Sequence, residues 1–420
     1  MTTESGTGDA SGRGSAPEFK VNFPARIRPH LEEEIKTVVD VMRNEECQTQ
    51  GHYLRQFEAD FKAYSGAEHV FAVDNCTNAL RLAAILCRIG PGDEVIIPAY
   101  TFCATAIPFG ETGAQIVWAD MDRDTWTIDP QDIEKKITGR TKAIVVVHIL
   151  GMPANMPAVM EIAQKHGLRV VEDCAQAPGA AIVEAIVGDG FGGKQVGTFG
   201  DFGCFSFHGA KNMTTLGEGG MLTVQSEEDA ALVPGLRHNG CRAFPASRER
   251  YWVPAMSDVD IDIEGVWPQN FSIGEAQCAL GSIELGTLDE TNDALIAQAM
   301  RLRSDMADVP ELTFSVIPEG YRHIHHTFVA HFDGSAFGAC RDDLLDILVN
   351  EYRIRAIVQY HPLYRYPLFQ KLGAGDQDCP VMEAWWDDSF SLPWWSGIPD
   401  DTLDYVVSSV KAAISQLRGE

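Results

Sequence analysis

The stretch Cys204-Phe-Ser-Phe-His-Gly-Ala-Lys-Asn-Met-Thr-Thr-Leu-Gly-Glu-Gly-Gly220 reads as an apolar strand, one lysine and a glycine-rich turn. The strand ends at Phe207, Lys211 follows, and Gly217, Gly219 and Gly220 shape the turn. Lys211 and Lys194 are the only lysines between Lys165 and Lys371. A lysine so placed is either a solvated surface side chain or an amine held in a cleft. In the second case desolvation lowers its pKa and frees it to attack a carbonyl and form a Schiff base. Spacing alone leaves both readings open.

On either side, short apolar runs alternate with longer amphipathic segments. The runs cover 69–73, 94–98, 115–118, 143–147, 168–171, 204–207 and 221–224. Several are hydrophobic on both faces, which suits strands buried in a mostly parallel sheet between helix layers. Helices fit at 78–90 and 156–166, and Ile27, Leu31, Ile35, Val38, Val39 and Met42 recur at helical spacing. After about residue 285 the pattern changes, with helices expected at 289–306, 341–352 and 401–417 and strands at 312–316 and 327–332. The expected organisation is a disordered Ser/Gly-rich tail at 1–17, a large α/β domain at 18–284 with a helical start, and a smaller α+β domain at 285–420.

Composition narrows the function. The 420 residues include 33 basic and 60 acidic side chains, a formal net charge of −27. Such a surface repels nucleic acid and anionic membranes, and no basic patch reverses it, so neither is expected as a partner. No run of 18 apolar residues suggests a membrane span, and the first 17 residues lack the apolar core of a signal peptide. The ten cysteines are scattered without a Cys-x-x-Cys pair, so no metal site is expected. Free cysteines without an export signal fit a reducing cytoplasm.

Two further stretches carry chemistry. Val170-Val-Glu-Asp-Cys-Ala-Gln-Ala177 closes a buried run with two carboxylates, at the strand end where α/β folds bind ligands. The plain alternative is helix capping by Asp173 with Glu172 solvated. A pyridoxal phosphate site needs a lysine and a carboxylate opposite the pyridinium nitrogen, parts that Lys211 and Asp173 could play. Asp74-Asn-Cys-Thr-Asn-Ala79 joins a strand to a helix. Amides at a helix N-terminus plus the Thr77 hydroxyl suit a phosphate, although an ordinary N-cap explains the same residues.

Taken together these stretches resemble the DegT/DnrJ/EryC1/StrS family of pyridoxal-phosphate enzymes, mostly sugar and aminocyclitol aminotransferases of fold type I. The resemblance runs from about residue 25 to the C-terminus. Glu172-Asp-Cys-Ala-Gln-Ala is similar to the family's E-D-A-A-Q-A, Ser206-Phe-His-Gly-Ala-Lys to its S-F-x-x-x-K, and Gly217-Glu-Gly-Gly to its G-E-G-G. Pro98-Ala-Tyr-Thr-Phe-Cys-Ala-Thr105 resembles the segment whose aromatic residue covers the cofactor ring. The resemblance implies that Lys211 is the imine lysine and proton carrier, that Asp173 pairs with the pyridinium nitrogen, and that Gln176 meets the ring hydroxyl. Phe102 would stack on the ring, while Asn75, Cys76, Thr77 and Ser206 would hold the phosphate. Asn270 would reach the phosphate of a neighbouring subunit, which implies a homodimer with shared active sites. His208, Tyr360 and His361 are candidate substrate contacts.

The implied activity is transfer of an amino group from glutamate or glutamine to a nucleotide-linked keto-sugar or a keto-cyclitol, in amino-sugar or aminocyclitol biosynthesis for antibiotics or polysaccharide. Alternatives are a sugar dehydratase of the same family, which would be expected to lack Lys211, and a non-catalytic pyridoxal-phosphate-binding regulator. Many members carry Arg two residues after the asparagine, where this chain has Ser272, a departure that tilts toward a neutral cyclitol. Residues 181–196 form a long stretch expected to be a turn or flap near the entrance. His323, His325 and His326 are expected to be packed or superficial, and Trp385, Trp386, Trp394 and Trp395 to pack the smaller domain.

Overall fold

Helices α1 (Leu31–Asn44) and α2 (His52–Ser65) lead into β1 (His69–Val73), α3 (Cys76–Leu86), β2 (Glu94–Pro98) and a short α4 (Ile107–Glu111). Next come β3 (Gln115–Ala119), α5 (Pro130–Lys136), β4 (Thr141–Val147), α6 (Met156–His166) and β5 (Arg169–Asp173). The short strands β6 (Ala181–Ile182) and β7 (Lys194–Gln195) precede β8 (Phe202–Ser206), β9 (Gly220–Val224) and α7 (Glu227–Leu236). Then follow α8 (Glu275–Gly286), α9 (Leu288–Asp305), β10 (Leu312–Thr313), β11 (Tyr321–Arg322), β12 (Val329–Phe332) and α10 (Arg341–Asn350). The chain closes with α11 (Pro367–Lys371), α12 (Pro380–Asp388), β13 (Ser389–Ser391) and α13 (Asp400–Arg418). This computed structural model describes residues 18–23, 31–183, 193–241, 259–375 and 378–420. The tail expected at 1–17 lies outside the described residues, as do positions 184–192 of the expected flap.

Seven strands form one sheet in the order β1-β9-β8-β5-β4-β2-β3. Only β9 runs against the rest, pairing antiparallel with both β1 and β8. The connection explains it. The parallel pairs β2–β3, β2–β4 and β4–β5 are joined through helices and β5–β8 through a long connection holding β6 and β7, whereas β8 reaches β9 through the glycine-rich turn alone, which returns the chain antiparallel. Every residue of β2, β8 and β9 is buried, which is why these runs lack the alternation of a half-exposed strand.

Alternate strand residues feed two cores. Val145, Val147, Phe202 and Leu222 pack on one face with Leu80 and Leu82 of α3. Ile144, Val146, Phe205 and Met221 pack on the other with Phe57 and Phe61 of α2. A third core gathers Leu295 and Leu302 of α9 with Phe332, Leu344, Leu348, Val410 and Ile414. Val21 joins it, held by the Arg355 amide donating to its carbonyl at 2.9 Å. The register places Asp173 beside both Val147 and Cys204, and Gly220 beside both Val73 and Ser206. The carboxyl ends of β1, β4, β5 and β8 therefore share one edge, where an open α/β sheet binds ligands.

Candidate active site

At this edge β1 turns into α3. Asn75 caps the helix, its side chain accepting from the Asn78 amide at 2.9 Å. Cys76 and Thr77 occupy the first turn, whose amides have no partner inside the helix. Gly220 presses against this turn: a Cβ there would lie 2.6 Å from the Asn75 carbonyl carbon and 2.8 Å from the Cys76 amide nitrogen. Only glycine lets β9 come so close. Ser206, which ends β8, is paired with Gly220 in the ladder, and its hydroxyl accepts from the His208 amide at 3.3 Å.

Asp173 ends β5 and is buried. Burial pushes its carboxyl up, while hydrogen bonds and the nearby Lys211 charge pull it back toward the ionised form. The Thr105 hydroxyl donates to Oδ2 at 2.7 Å and the Ala175 amide to Oδ1 at 3.0 Å. Thr105 is itself hydrogen-bonded to Thr101 at 2.8 Å. Lys211 lies in the β8–β9 turn, its amide donating to the His208 carbonyl at 2.8 Å. Burial pushes its ammonium below the usual lysine range, and the Asp173 carboxylate opposes the shift. The lysine and the carboxylate singled out from the sequence thus act on one another in one cleft.

Three groups to which the sequence reading gave no role in the site reach this cleft. The Asn292 amide donates to the Pro178 carbonyl at 2.9 Å, its oxygen accepts from Asn212 Nδ2 at 2.7 Å, and Asn212 Oδ1 lies 2.8 Å from His326 Nδ1. A carbonyl can only accept, so the relay fixes both amides and makes His326 Nδ1 the donor, leaving Nε2 as a bare acceptor. Burial first, then the Lys211 charge, holds the His326 imidazole well below its ordinary pKa. Thr105 stands inside the quoted 98–105 segment, four residues after Thr101, and that spacing was a usable signal. His326 and Asn292 converge on Asn212, the neighbour of Lys211, from distant parts of the chain, and that pairing left no local trace.

Gln176 bridges the cleft to the later segments. Its Oε1 accepts from the Leu150 amide at 2.6 Å, and its Nε2 donates to the Tyr360 hydroxyl at 3.0 Å. The Tyr360 ring lies 6.0 Å from that of Phe102, which is 54% exposed at the mouth. Burial, then the Asp173 charge, pushes the Tyr360 phenol up to about 12. His361 is set over Trp386, with ring centroids 4.9 Å apart. It makes no described contact with Asp173 or Lys211. His208 is exposed and spends Nδ1 on the Ala210 amide at 3.2 Å. Asn270 is exposed, pairs with His238 and accepts from the Ser272 amide at 3.2 Å, apart from Lys211.

Glu172 corrects the alternative of a solvated carboxylate, for it is fully buried. Its oxygens accept from the amides of Gly197 at 2.8 Å, Phe199 at 2.8 Å and Gly200 at 2.7 Å. The fourth donor is His148 Nε2 at 2.9 Å, whose Nδ1 accepts from the Ala154 amide at 3.0 Å. His148, Glu172 and Cys174 lie close enough together to suggest a ligand set, yet Glu172 and His148 already spend their lone pairs on these donors. The cluster clamps the 197–200 turn under β5. Trp385 and Trp394 are buried, Trp385 packing 4.8 Å from Tyr100 and 5.2 Å from Trp126.

A desolvated lysine beside a buried carboxylate, next to an open helix N-terminus at the carboxyl edge of this sheet, defines a pyridoxal-phosphate-dependent transferase of fold type I. The model of the DegT/DnrJ/EryC1/StrS aminotransferase family matches residues 30–411, and the chain belongs to that family. It is 34% identical over 380 residues to the spore coat polysaccharide biosynthesis protein SpsC of Bacillus subtilis, covering 90% of this chain and 94% of that one. It is 32% identical to the UDP-N-acetyl-3-dehydro-alpha-D-glucosamine 3-aminotransferase of Acidithiobacillus ferrooxidans, covering 94% and 97%. The crystal structure of S. venezuelae DesV in complex with a ketimine intermediate superposes with a TM-score of 0.79 at 29% identity, covering 95% and 99%. The protein is a pyridoxal-phosphate-dependent aminotransferase, and its residues fit that cofactor. The amine, the buried carboxylate and the first-turn amides of α3 match the cofactor's aldehyde, ring nitrogen and phosphate.

Proposed function

We propose that the enzyme transfers an amino group from glutamate or glutamine to a ring ketone, with a nucleotide-linked keto-sugar as the leading acceptor. The observation that carries this is the pairing of a desolvated Lys211 with a buried Asp173 in one cleft. Relatives named for a UDP-linked sugar aminotransferase and for polysaccharide biosynthesis support the sugar. Ser272 keeps a neutral keto-cyclitol as the second acceptor to test, since its hydroxyl is already engaged with His238 at 2.9 Å and Gln50 at 3.2 Å and offers no charge.

Bound pyridoxal phosphate supplies an electron sink that stores the amino group between two half-reactions. Lys211, whose neutral amine burial favours, would hold the cofactor through its aldehyde carbon with loss of water, and once released would carry the proton between adjacent carbons. Asp173, whose carboxylate form Thr105 and Ala175 favour against burial, would hold the proton on the ring nitrogen. Asn75, Cys76, Thr77 and Ser206 bind the phosphate, where the α3 amides and dipole favour an anion. Gln176 would meet the ring hydroxyl, Phe102 would cover the ring and exclude water, and Asn270 of a second copy would complete the phosphate site. Tyr360, His361 and the bare Nε2 of His326 line the approach for the acceptor's hydroxyls, while His208 stands at its rim.

The test supplies the cofactor-loaded enzyme with L-glutamate or L-glutamine and follows amine formation by mass spectrometry on a UDP-linked keto-hexose and on an unlinked keto-cyclitol. Amination of the nucleotide sugar is the expected result. Amination of the cyclitol alone would reverse the order of acceptors, and amination of neither would overturn the reading.

A further inference from the structure

Tyr360 and His361 stand in a stretch, residues 358–362, that belongs to no helix or strand. Its two ends are anchored. Ile357 bridges to Ser391, and the Leu363 amide donates to the Ala99 carbonyl at 2.9 Å. Its middle is held by Trp386 of α12, whose indole Nε1 donates to the Tyr360 carbonyl at 2.5 Å. The same indole carries the His361 ring, with centroids 4.9 Å apart. A carbonyl outside helix and sheet needs such a partner, and the partner then sets where the loop lies.

Trp386 is itself fixed. Buried Arg341 donates Nη1 to the Trp386 carbonyl at 2.6 Å and sets its guanidinium 5.1 Å from the indole centroid. The Arg365 guanidinium lies 4.5 Å from that centroid and pairs with Glu383, three residues back on α12. Guanidiniums over an indole are held by its ring electrons. The ring packs against the core shared by α3 and the sheet, not the third core, so Trp386 departs from the expectation that it packs the smaller domain.

The direction of the next bond follows from its neighbour. Gln176 Oε1 accepts from the Leu150 amide, so the group facing Tyr360 is Nε2, which can only donate. The phenol oxygen is therefore the acceptor in that bond, and its own hydrogen is unspent: among the described residues none accepts it. We infer that Trp386 is a positioning residue of the acceptor site, fixing the loop through the Tyr360 carbonyl so that the Tyr360 hydroxyl aims its hydrogen at an oxygen of the bound ring ketone. This role rests on the proposed contact of Tyr360 with the acceptor. With the phenol pushed up to about 12, chiefly by burial, the hydrogen stays in place at neutral pH.

The test compares Tyr360→Phe and Trp386→Phe, alone and together, with the wild type. Steady-state kinetics of the cofactor-loaded enzyme are recorded with the acceptor that the wild type aminates as the varied substrate. Each single variant should raise the acceptor KM about 3–10-fold, the scale of one hydrogen bond, and lower kcat by less. The double variant should match Tyr360→Phe alone, because Trp386 acts through a hydroxyl that is already gone. A Tyr360→Phe enzyme with the wild-type KM overturns the acceptor contact of Tyr360, and the role of Trp386 falls with it. A raised KM in Tyr360→Phe without one in Trp386→Phe, or effects that multiply in the double variant, overturns the role of Trp386 alone. Unfolding midpoints are recorded for every variant, and Trp386→Tyr repeats the comparison if phenylalanine lowers the midpoint.

Discussion

Asp173 illustrates how one residue is tuned by its neighbours. Its burial favours the neutral acid, and Thr105, Ala175 and the Lys211 charge offset part of that shift toward the anion that a protonated ring nitrogen needs. Asp173→Asn should keep cofactor bound but slow amino transfer roughly 10²-fold or more, the scale of losing one preorganised electrostatic partner. Single-turnover rates check it, and an unchanged rate would remove the electronic role. His323 carries a second prediction. Its folded pKa is held down at about 4, chiefly by burial, against 6.5 in the open chain. The unfolded state therefore binds a proton first as pH falls, and stability drops from pH 6.5 down to about 4. The loss is about 3 kcal/mol at most, and His325 and His326 act in the same sense. Urea midpoints across this range should fall in the wild type and fall less in His323→Asn. Equal slopes would contradict the assignment.

At the scale of elements, the sheet was legible because its strands are doubly buried, and continuous apolar runs mark such strands without help from periodicity. The runs at 69–73 and 94–98 coincide with β1 and β2, and 156–166 with α6. Errors fell where local chemistry moved an end. The helix expected to begin at 78 begins at Cys76, because Asn75 rather than a later residue supplies the cap. The strand expected at 312–316 stops at Thr313: Val316 instead donates its amide to the Asp124 carbonyl at 2.7 Å. Of the site, Lys211, Asp173 and the α3 N-terminus could be read because each sits at a strand end within a few residues of its signal. The His326–Asn212–Asn292 relay and the Glu172–His148 clamp could not, since tertiary folding alone assembles them. Gly220 tests the element packing. Gly220→Ala places a methyl group against the Asn75–Cys76 backbone and should shift the start of α3. The cost expected for such overpacking is about 1–3 kcal/mol, with weakened cofactor affinity. Calorimetry of cofactor binding checks it, and wild-type affinity would show that the phosphate does not sit there.

At the scale of the molecule, the strand ends bring residues from β1, β5 and β8 to one edge, while Asn270 is exposed and makes no described contact with Lys211 or Asp173. The proposed function assigns this asparagine to the site of a second copy. Mixing inactive Lys211→Ala chains with inactive Asn270→Ala chains should restore activity, up to about a quarter of the wild type for random pairing of two sites per dimer. Lack of complementation while subunits demonstrably exchange would leave each site built from one chain. No described helix is long and apolar enough to cross a membrane.

The most direct measurement is the absorbance spectrum of the cofactor-loaded wild type before and after L-glutamate or L-glutamine, alongside Lys211→Ala. The wild type should convert its visible cofactor band to the amine form with one of the donors, and borohydride should fix the cofactor to Lys211. The variant should do neither at a comparable rate. A wild-type band that neither donor changes, or full conversion without Lys211, would contradict the central claim that this lysine performs amino transfer.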